Sequence, residues 1–211
     1  LDVHALAAPA SFDGVSSSRL CVGNDGGVAC TDNIEAPQRQ LRWANLGKSI
    51  NSMEFYTVNT SASQGLIIAG AQDNGTVKFQ NDRNWSEVFG ADGGFSALPS
   101  DPAKPAYIGI QYGDIYRLDH NNPFANPTLI TNGFDGEGAL FIPPFVLAPD
   151  DDGVIFQGRK SVWRTLDATQ PNPVWRRISP PGNEMSLISA LAFAPGNGQV
   201  LAATDGDHVW D

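Results

Sequence analysis

Acidic side chains set beside glycine are the residues of this chain whose type and spacing could do chemistry. Asp25, Asp73 and Asp92 stand in the runs Asn24-Asp25-Gly26-Gly27, Gln72-Asp73-Asn74-Gly75 and Ala91-Asp92-Gly93-Gly94. Hard carboxylate oxygens on permissive backbone could hold a cation such as Ca2+, or accept hydrogen bonds from sugar hydroxyls. Two carboxylates roughly 5 to 10 Å apart across a cleft are also what a glycoside hydrolase uses, which makes the same three aspartates weak catalytic candidates. Against both readings, Asp, Asn and Gly are what tight turns require. Asp114, Asp135, Glu137, Glu184, Asp205 and Asp207 extend the acidic set.

Other chemistry is sparse. Tyr112, in Gln111-Tyr112-Gly113, is an aromatic at a turn tip, suited either to stack on a sugar or to pack on a neighbouring turn. Arg159, with Lys160 beside it, is the cation placed among these turns, one where a sialidase-type clamp on a substrate carboxylate would need several. His4, His120 and His208 show no metal-ligand spacing and no Ser or Cys partner pattern, which argues against a zinc site or a nucleophilic triad. The ligand-binding candidates are therefore Asp25, Asp73, Asn74, Asp92, Tyr112 and Arg159.

The elements that must position these residues are repeated. Leu66-Ile67-Ile68-Ala69-Gly70-Ala71 followed by Gln72-Asp73-Asn74-Gly75-Thr76-Val77-Lys78-Phe79 reads as an apolar strand, an Asn-Gly turn and a returning alternating strand. Four looser copies surround it, with Gly23, Gly109, Gly158 and Ala203 equivalent to Gly70. The spacings of about 47, 39, 49 and 45 residues suit four-stranded blades, so the expected fold is all-β, a β-propeller segment of about four and a half blades. The blades fall at 1–47, 48–92, 93–140, 141–182 and 183–211, and the last stops in its third strand. An incomplete last blade leaves two sheet edges, to be covered by the remainder of a larger chain or by a second copy. In a propeller the turn between a blade's second and third strands lies on the same face as the link to the next blade. The acidic turns then share one face.

Composition agrees. With 22 Gly, 15 Pro and 17% charged residues in 211, the texture is that of a turn-rich β-protein, and no stretch keeps a 3.6-residue apolar period. Thirteen Lys and Arg against 23 Asp and Glu give a net charge of −10, which disfavours nucleic acid and anionic membranes. No apolar run approaches the roughly 20 residues of a membrane-spanning helix. The opening Leu1-Asp2 fits either a removed signal peptide or a piece of a longer chain.

Cys21 and Cys30 are symmetric about Asn24-Asp25-Gly26-Gly27. With Asp25 and Gly26 central, position 24 pairs with 27 and 21 with 30, a non-hydrogen-bonded pair whose Cα atoms lie about 4.5 Å apart, within disulfide reach. A bridge there implies a secreted or extracytoplasmic home. Two buried free thiols are the alternative.

Taken together, Asp2-Val3-His4-Ala5-Leu6, Val22 to Val28, Gly70 to Thr76, Gly90-Ala91-Asp92-Gly93-Gly94 and Val162-Trp163-Arg164-Thr165-Leu166-Asp167 resemble secreted propellers built from Asp-box (BNR) repeats, of the sortilin-like and xyloglucanase-like kind. The box itself, S/T-x-D-x-G-x-T-W, is degenerate. Asp32 follows Thr31 directly, an insertion parts Thr165-Leu166-Asp167 from Trp175, and Asn81 to Trp85 keeps little beyond the tryptophan. The resemblance implies that Trp43, Trp85 and Trp175 pack between blades. It also implies that a xyloglucanase-like active site needs a cleft between two propellers. The expected function is a non-catalytic extracytoplasmic module for polysaccharide or protein, or a structural role; the alternative is part of a glycoside hydrolase.

Overall fold

The computed structural model describes residues 3–24, 27–47, 53–61, 65–80, 84–118, 127–134, 136–180, 186–194, 200–204 and 209–210. Asp25, Asp135, Glu184, Asp205, Asp207, His120 and His208 lie outside them. The chain divides into two compact units, Leu1–Met53 and Glu54–Asp211. No α-helix occurs among the described residues.

In the first unit, strands β1 (Val3–Ala7), β2 (Leu20–Asn24), β3 (Gly27–Thr31) and β4 (Ala44–Asn45) form one antiparallel sheet in that order. The β2–β3 register pairs Asn24 with Gly27 and Cys21 with Cys30. Cys21 and Cys30 are disulfide-bonded, with Cα atoms 4.1 Å apart, close to the spacing that the turn symmetry dictates. Between β1 and β2, the Asp13 carboxylate accepts the backbone N–H groups of Val15, Ser16 and Ser17 and the Ser16 hydroxyl. These bonds, the Ser16 hydroxyl foremost, hold Asp13 well below the usual carboxylate range.

Among the described residues the second unit holds four sheets. They are β5 (Phe55–Ser61), β6 (Leu66–Ala71), β7 (Gly75–Gln80), β8 (Trp85–Phe89); β9 (Gly93–Ala97), β10 (Ala106–Ile110), β11 (Ile115–Leu118), β12 (Thr128–Leu129); β13 (Phe145–Ala148), β14 (Asp151–Gly158), β15 (Val162–Thr165), β16 (Trp175–Arg177); and β17 (Ile188–Phe193), β18 (Val200–Thr204), β19 (Val209–Trp210). Each is an antiparallel meander. Four-stranded antiparallel meanders of this kind are the blades of a β-propeller fold.

Because successive strand residues point to opposite faces, an inner sheet must be apolar on both. In β14, Ile155 belongs to the core shared with the third sheet, where it meets Tyr107, Ile115 and Trp175. Its neighbour Phe156 belongs to the core shared with the fifth, against Ile188. Ile68, Val88, Ile108 and Leu118 fill the seam between the second and third sheets.

The glycines that mark the second, third and fourth repeats have a packing cause. A Cβ on Gly70 would stand 1.9 Å from the Gly94 carbonyl oxygen, on Gly158 2.5 Å from Ile188 Cγ2, and on Gly109 3.0 Å from Phe145 Cε1. In every case the obstacle belongs to the next blade's innermost strand or, for Gly158, to the residue that begins it. The repeat is thus written where one blade presses on the following one.

Two expectations need correction. Gly75 pairs with Ala71, so the β6–β7 connection is the three-residue loop Gln72-Asp73-Asn74 and not a two-residue Asn-Gly turn. Asp73 takes the left-handed step, with φ 56°. Trp43 and Trp85 are not core residues, being 41% and 45% exposed, whereas Trp175 is 7% exposed. Trp175 is covered by Phe134, in the segment that follows β12, and donates its Nε1–H to the Ile130 carbonyl at 2.7 Å. Trp85 touches only rings of its own sheet among those paired with it, Phe55 and Phe79, each at 5.7 Å.

Candidate ligand-binding face

The turns of the second and third blades, and the link between them, are tied in series by hydrogen bonds. The Asp92 carboxylate accepts the Asp73 backbone N–H at 2.8 Å, and the Asp92 N–H donates to Gln111 Oε1 at 3.0 Å. Asn74 Nδ2 donates to the Gln72 carbonyl at 2.8 Å, while Gln72 Oε1 accepts the Tyr56 hydroxyl at 2.8 Å. Asp73 and Asp92 are thereby brought together, though by carboxylate and amide and not as a facing carboxylate pair.

Among the described residues, the non-glycine positions with positive φ are Asp73 (56°), Ala91 (68°) and Tyr112 (64°). All three lie on this stretch of turns. Asp is among the side chains that tolerate the left-handed region; a tyrosine there carries a cost of about 1–2 kcal/mol. Nothing in packing requires that tyrosine, for it is 69% exposed. Its backbone N–H donates to the Phe141 carbonyl at 2.7 Å, and its ring meets Phe141 edge-on with centroids 5.5 Å apart. Phe141, 42% exposed, enlarges the aromatic surface and had no signal in the sequence pattern.

Arg159 is placed otherwise than a surface ligand clamp requires. It is 8% exposed. Its Nη1 donates to the Glu137 carbonyl at 3.0 Å, Nη2 to the Gly113 carbonyl at 3.2 Å and Nε to Gln157 Oε1 at 3.3 Å, with the Phe134 ring centroid 4.0 Å from the guanidinium carbon. Burial lowers its pKa, opposed by Asp114 and Glu137. The Glu137 carboxylate accepts the Ser161 hydroxyl at 2.6 Å and the Trp163 Nε1–H. The physical reason is satisfaction: a buried guanidinium must find acceptors for its donors, and the third-to-fourth-blade seam supplies them. Asp114 accepts the Thr131 hydroxyl at 3.1 Å. Among the described residues no group of three or more His, Cys, Asp or Glu is assembled that could hold a metal.

A second concavity lies at the inner edges of the blades. Strands β5, β9 and β13, with Phe193 of β17, bound a cavity of about 650 Å3. Thr57 Oγ1 donates to the Gly94 carbonyl at 3.0 Å and Asn59 Nδ2 to the Ser96 carbonyl at 3.1 Å, a side-chain ladder that joins β5 to β9 at a two-residue repeat.

The turn after the third strand recurs across the two units. In the fourth blade the Asp167 N–H donates to Thr165 Oγ1 at 3.3 Å, and Asp167 Oδ1 accepts the Thr165 hydroxyl at 2.6 Å and the Val174 N–H at 3.0 Å. In the first, the Asn33 N–H donates to Thr31 Oγ1 at 3.3 Å, and Asn33 Oδ1 accepts the Ser18 hydroxyl at 2.9 Å and the Glu35 N–H at 3.0 Å. Asn33, and not Asp32, fills the acidic place. Asp32 is exposed and pairs with Arg19 at 3.1 Å.

No protein-family model matches the chain, and no curated protein does. Among solved structures, YCF48 from Cyanidioschyzon merolae is similar at 14% identity with a TM-score of 0.53, covering 88% of this chain and 61% of that one. A chain of the mitotic checkpoint complex is similar at 13% identity and a TM-score of 0.51, covering 97% of this chain and 61% of that one. This chain therefore spans about three fifths of either relative's length. Both are β-propellers, and the likeness extends to fold alone.

Proposed function

We propose that this chain is a non-catalytic, extracytoplasmic propeller module whose Asp73–Asp92–Tyr112 face binds a polysaccharide or a protein, with sugar the favoured ligand. The observation that carries the reading is Tyr112, an exposed aromatic held in a left-handed conformation that a smaller residue would adopt at less cost. Its ring and Phe141 offer an aromatic surface, and Asp73, Asn74 and Asp92 supply acceptors and donors beside it. Asp25, the turn residue at the corresponding place of the first repeat, lies outside the described residues; a cation such as Ca2+ held by the Asp73 and Asp92 turns is part of the same reading. Arg159 acts as a strut beneath the face. The Cys21–Cys30 bridge supports an oxidising compartment. The recurring Thr–Asp/Asn turns support kinship with Asp-box propellers, with blade limits at 47, 92, 140 and 182.

The test is Tyr112→Asn, which tolerates positive φ. Stability should stay within about 1 kcal/mol of wild type while binding to an array of neutral oligosaccharides weakens at least about tenfold. Undiminished binding would remove Tyr112 from the site. Release of reducing ends by the unmodified chain would move the protein to the alternative, part of a xyloglucanase-like hydrolase.

A further inference from the structure

The cavity at the inner edges of the blades is independent of the loop face and has its own chemistry. Its volume, about 650 Å3, falls within the usual range for small-molecule sites. Phe95, Phe145 and Phe193 contribute to its wall, the first two with ring centroids 6.5 Å apart. The Thr57 hydroxyl and the Asn59 amide nitrogen each already donate to a carbonyl of β9. No Lys, Arg or His is among the described lining residues, and the ionisable one is Asp152.

Asp152 is held as an acceptor. Its carboxylate takes the Ser100 N–H at 3.1 Å, the Ser100 hydroxyl at 3.4 Å and the Asp101 N–H at 3.4 Å. Of the cations nearby in sequence or space, Arg117 is turned to the Ala168 and Gln170 carbonyls, and Lys104 sits in the Asp101 turn without lining the cavity. A half-buried carboxylate in a cavity whose wall also carries three phenylalanines, in a chain of net charge −10, suits one kind of guest.

We propose that this cavity binds a small organic cation, an ammonium group carried on an apolar body, with the apolar part against Phe95, Phe145 and Phe193 and the ammonium at Asp152. Anions are rejected by the carboxylate. Neutral isosteres keep the apolar contacts and lose the charge pairing.

Three probes of nearly one shape separate these terms: 4-phenylbutylamine, 4-phenylbutanol and 4-phenylbutyrate, titrated at low salt into the whole chain by calorimetry and ligand-observed NMR. The amine should bind about tenfold or more tighter than the alcohol, and the carboxylate should show no binding. Asp152→Asn should bring the amine to the level of the alcohol. Thr60→Trp, which fills the cavity from an exposed position, should abolish binding of both, and Tyr112→Asn should change neither. If Asp152→Asn does not fold, the salt dependence of the unmodified chain decides: the amine should weaken with added salt and the alcohol should not. Equal affinity for amine and alcohol, indifference of the amine to Asp152→Asn or to salt, or no binding of any probe would overturn the proposal.

Discussion

Trp175 and Trp85 hold one register place in two sheets and live in different surroundings. Trp175 pairs with Thr165 at the start of the fourth blade's outer strand, and Trp85 pairs with Phe79 at the start of the second's. The first lies under Phe134 and Ile130, from the segment that follows the third sheet's last strand, and the second is nearly half exposed. A position in a repeat fixes which way a side chain points. Whether it is buried depends on what the adjacent sheet brings to meet it.

The difference can be broken by substitution. Trp175→Ala should cost about 3–5 kcal/mol, since it opens a cavity in a closed seam and leaves the Ile130 carbonyl unpartnered, while Trp85→Ala should cost about half as much or less. Chemical denaturation of both variants measures this, and equal losses would mean that Trp85 is covered in solution. The repeat glycines offer a sharper version. Gly70→Ala forces a Cβ into the Gly94 carbonyl and should cost about 2–4 kcal/mol, whereas Gly23→Ala, whose nearest neighbour would be Ala5 Cβ at 3.5 Å, should cost less than about 1 kcal/mol. Comparable midpoints for the two would refute the role of the blade-to-blade contact at Gly70.

The first unit has a covalent support that the second lacks among its described residues. Replacing Cys21 and Cys30 together by Ser should cost about 2 kcal/mol, because the closed loop is short. The loss should be confined to the Leu1–Met53 unit in amide exchange. The smallest effect concerns Asp13. Its pKa is depressed in the folded chain, so its contribution to stability is fully present above the unfolded value near 4 and disappears as pH falls through the folded one. The melting temperature of wild type should therefore exceed that of Asp13→Asn at pH 6, and the gap should close on strong acidification. A gap that persists there would place the stabilisation elsewhere.

Much of this was legible in the chain because turns and registers are local. The pairing of Cys21 with Cys30 follows from symmetry about one turn, and the Gly70, Gly109 and Gly158 spacing announces blades before any contact is seen. The Asp73 loop was misjudged by one residue, since hairpin rules rank Asn-Gly above a three-residue loop and the contact that favours the latter comes from Asp92. Asn33 was missed because an asparagine in the acidic place breaks a pattern without breaking the hydrogen bonds.

By itself the sequence determined the all-β fold, the repeat and the disulfide, because alternation, turn chemistry and spacing act over a few residues at a time. Only the tertiary structure decided that Arg159 is a buried strut, that Trp85 and Trp175 part company, that Phe141 joins Tyr112, and that Asp152 borders a cavity walled by three phenylalanines. Each of these depends on side chains from different blades meeting, and the packing of one sheet face against another is set by the whole assembly of strands.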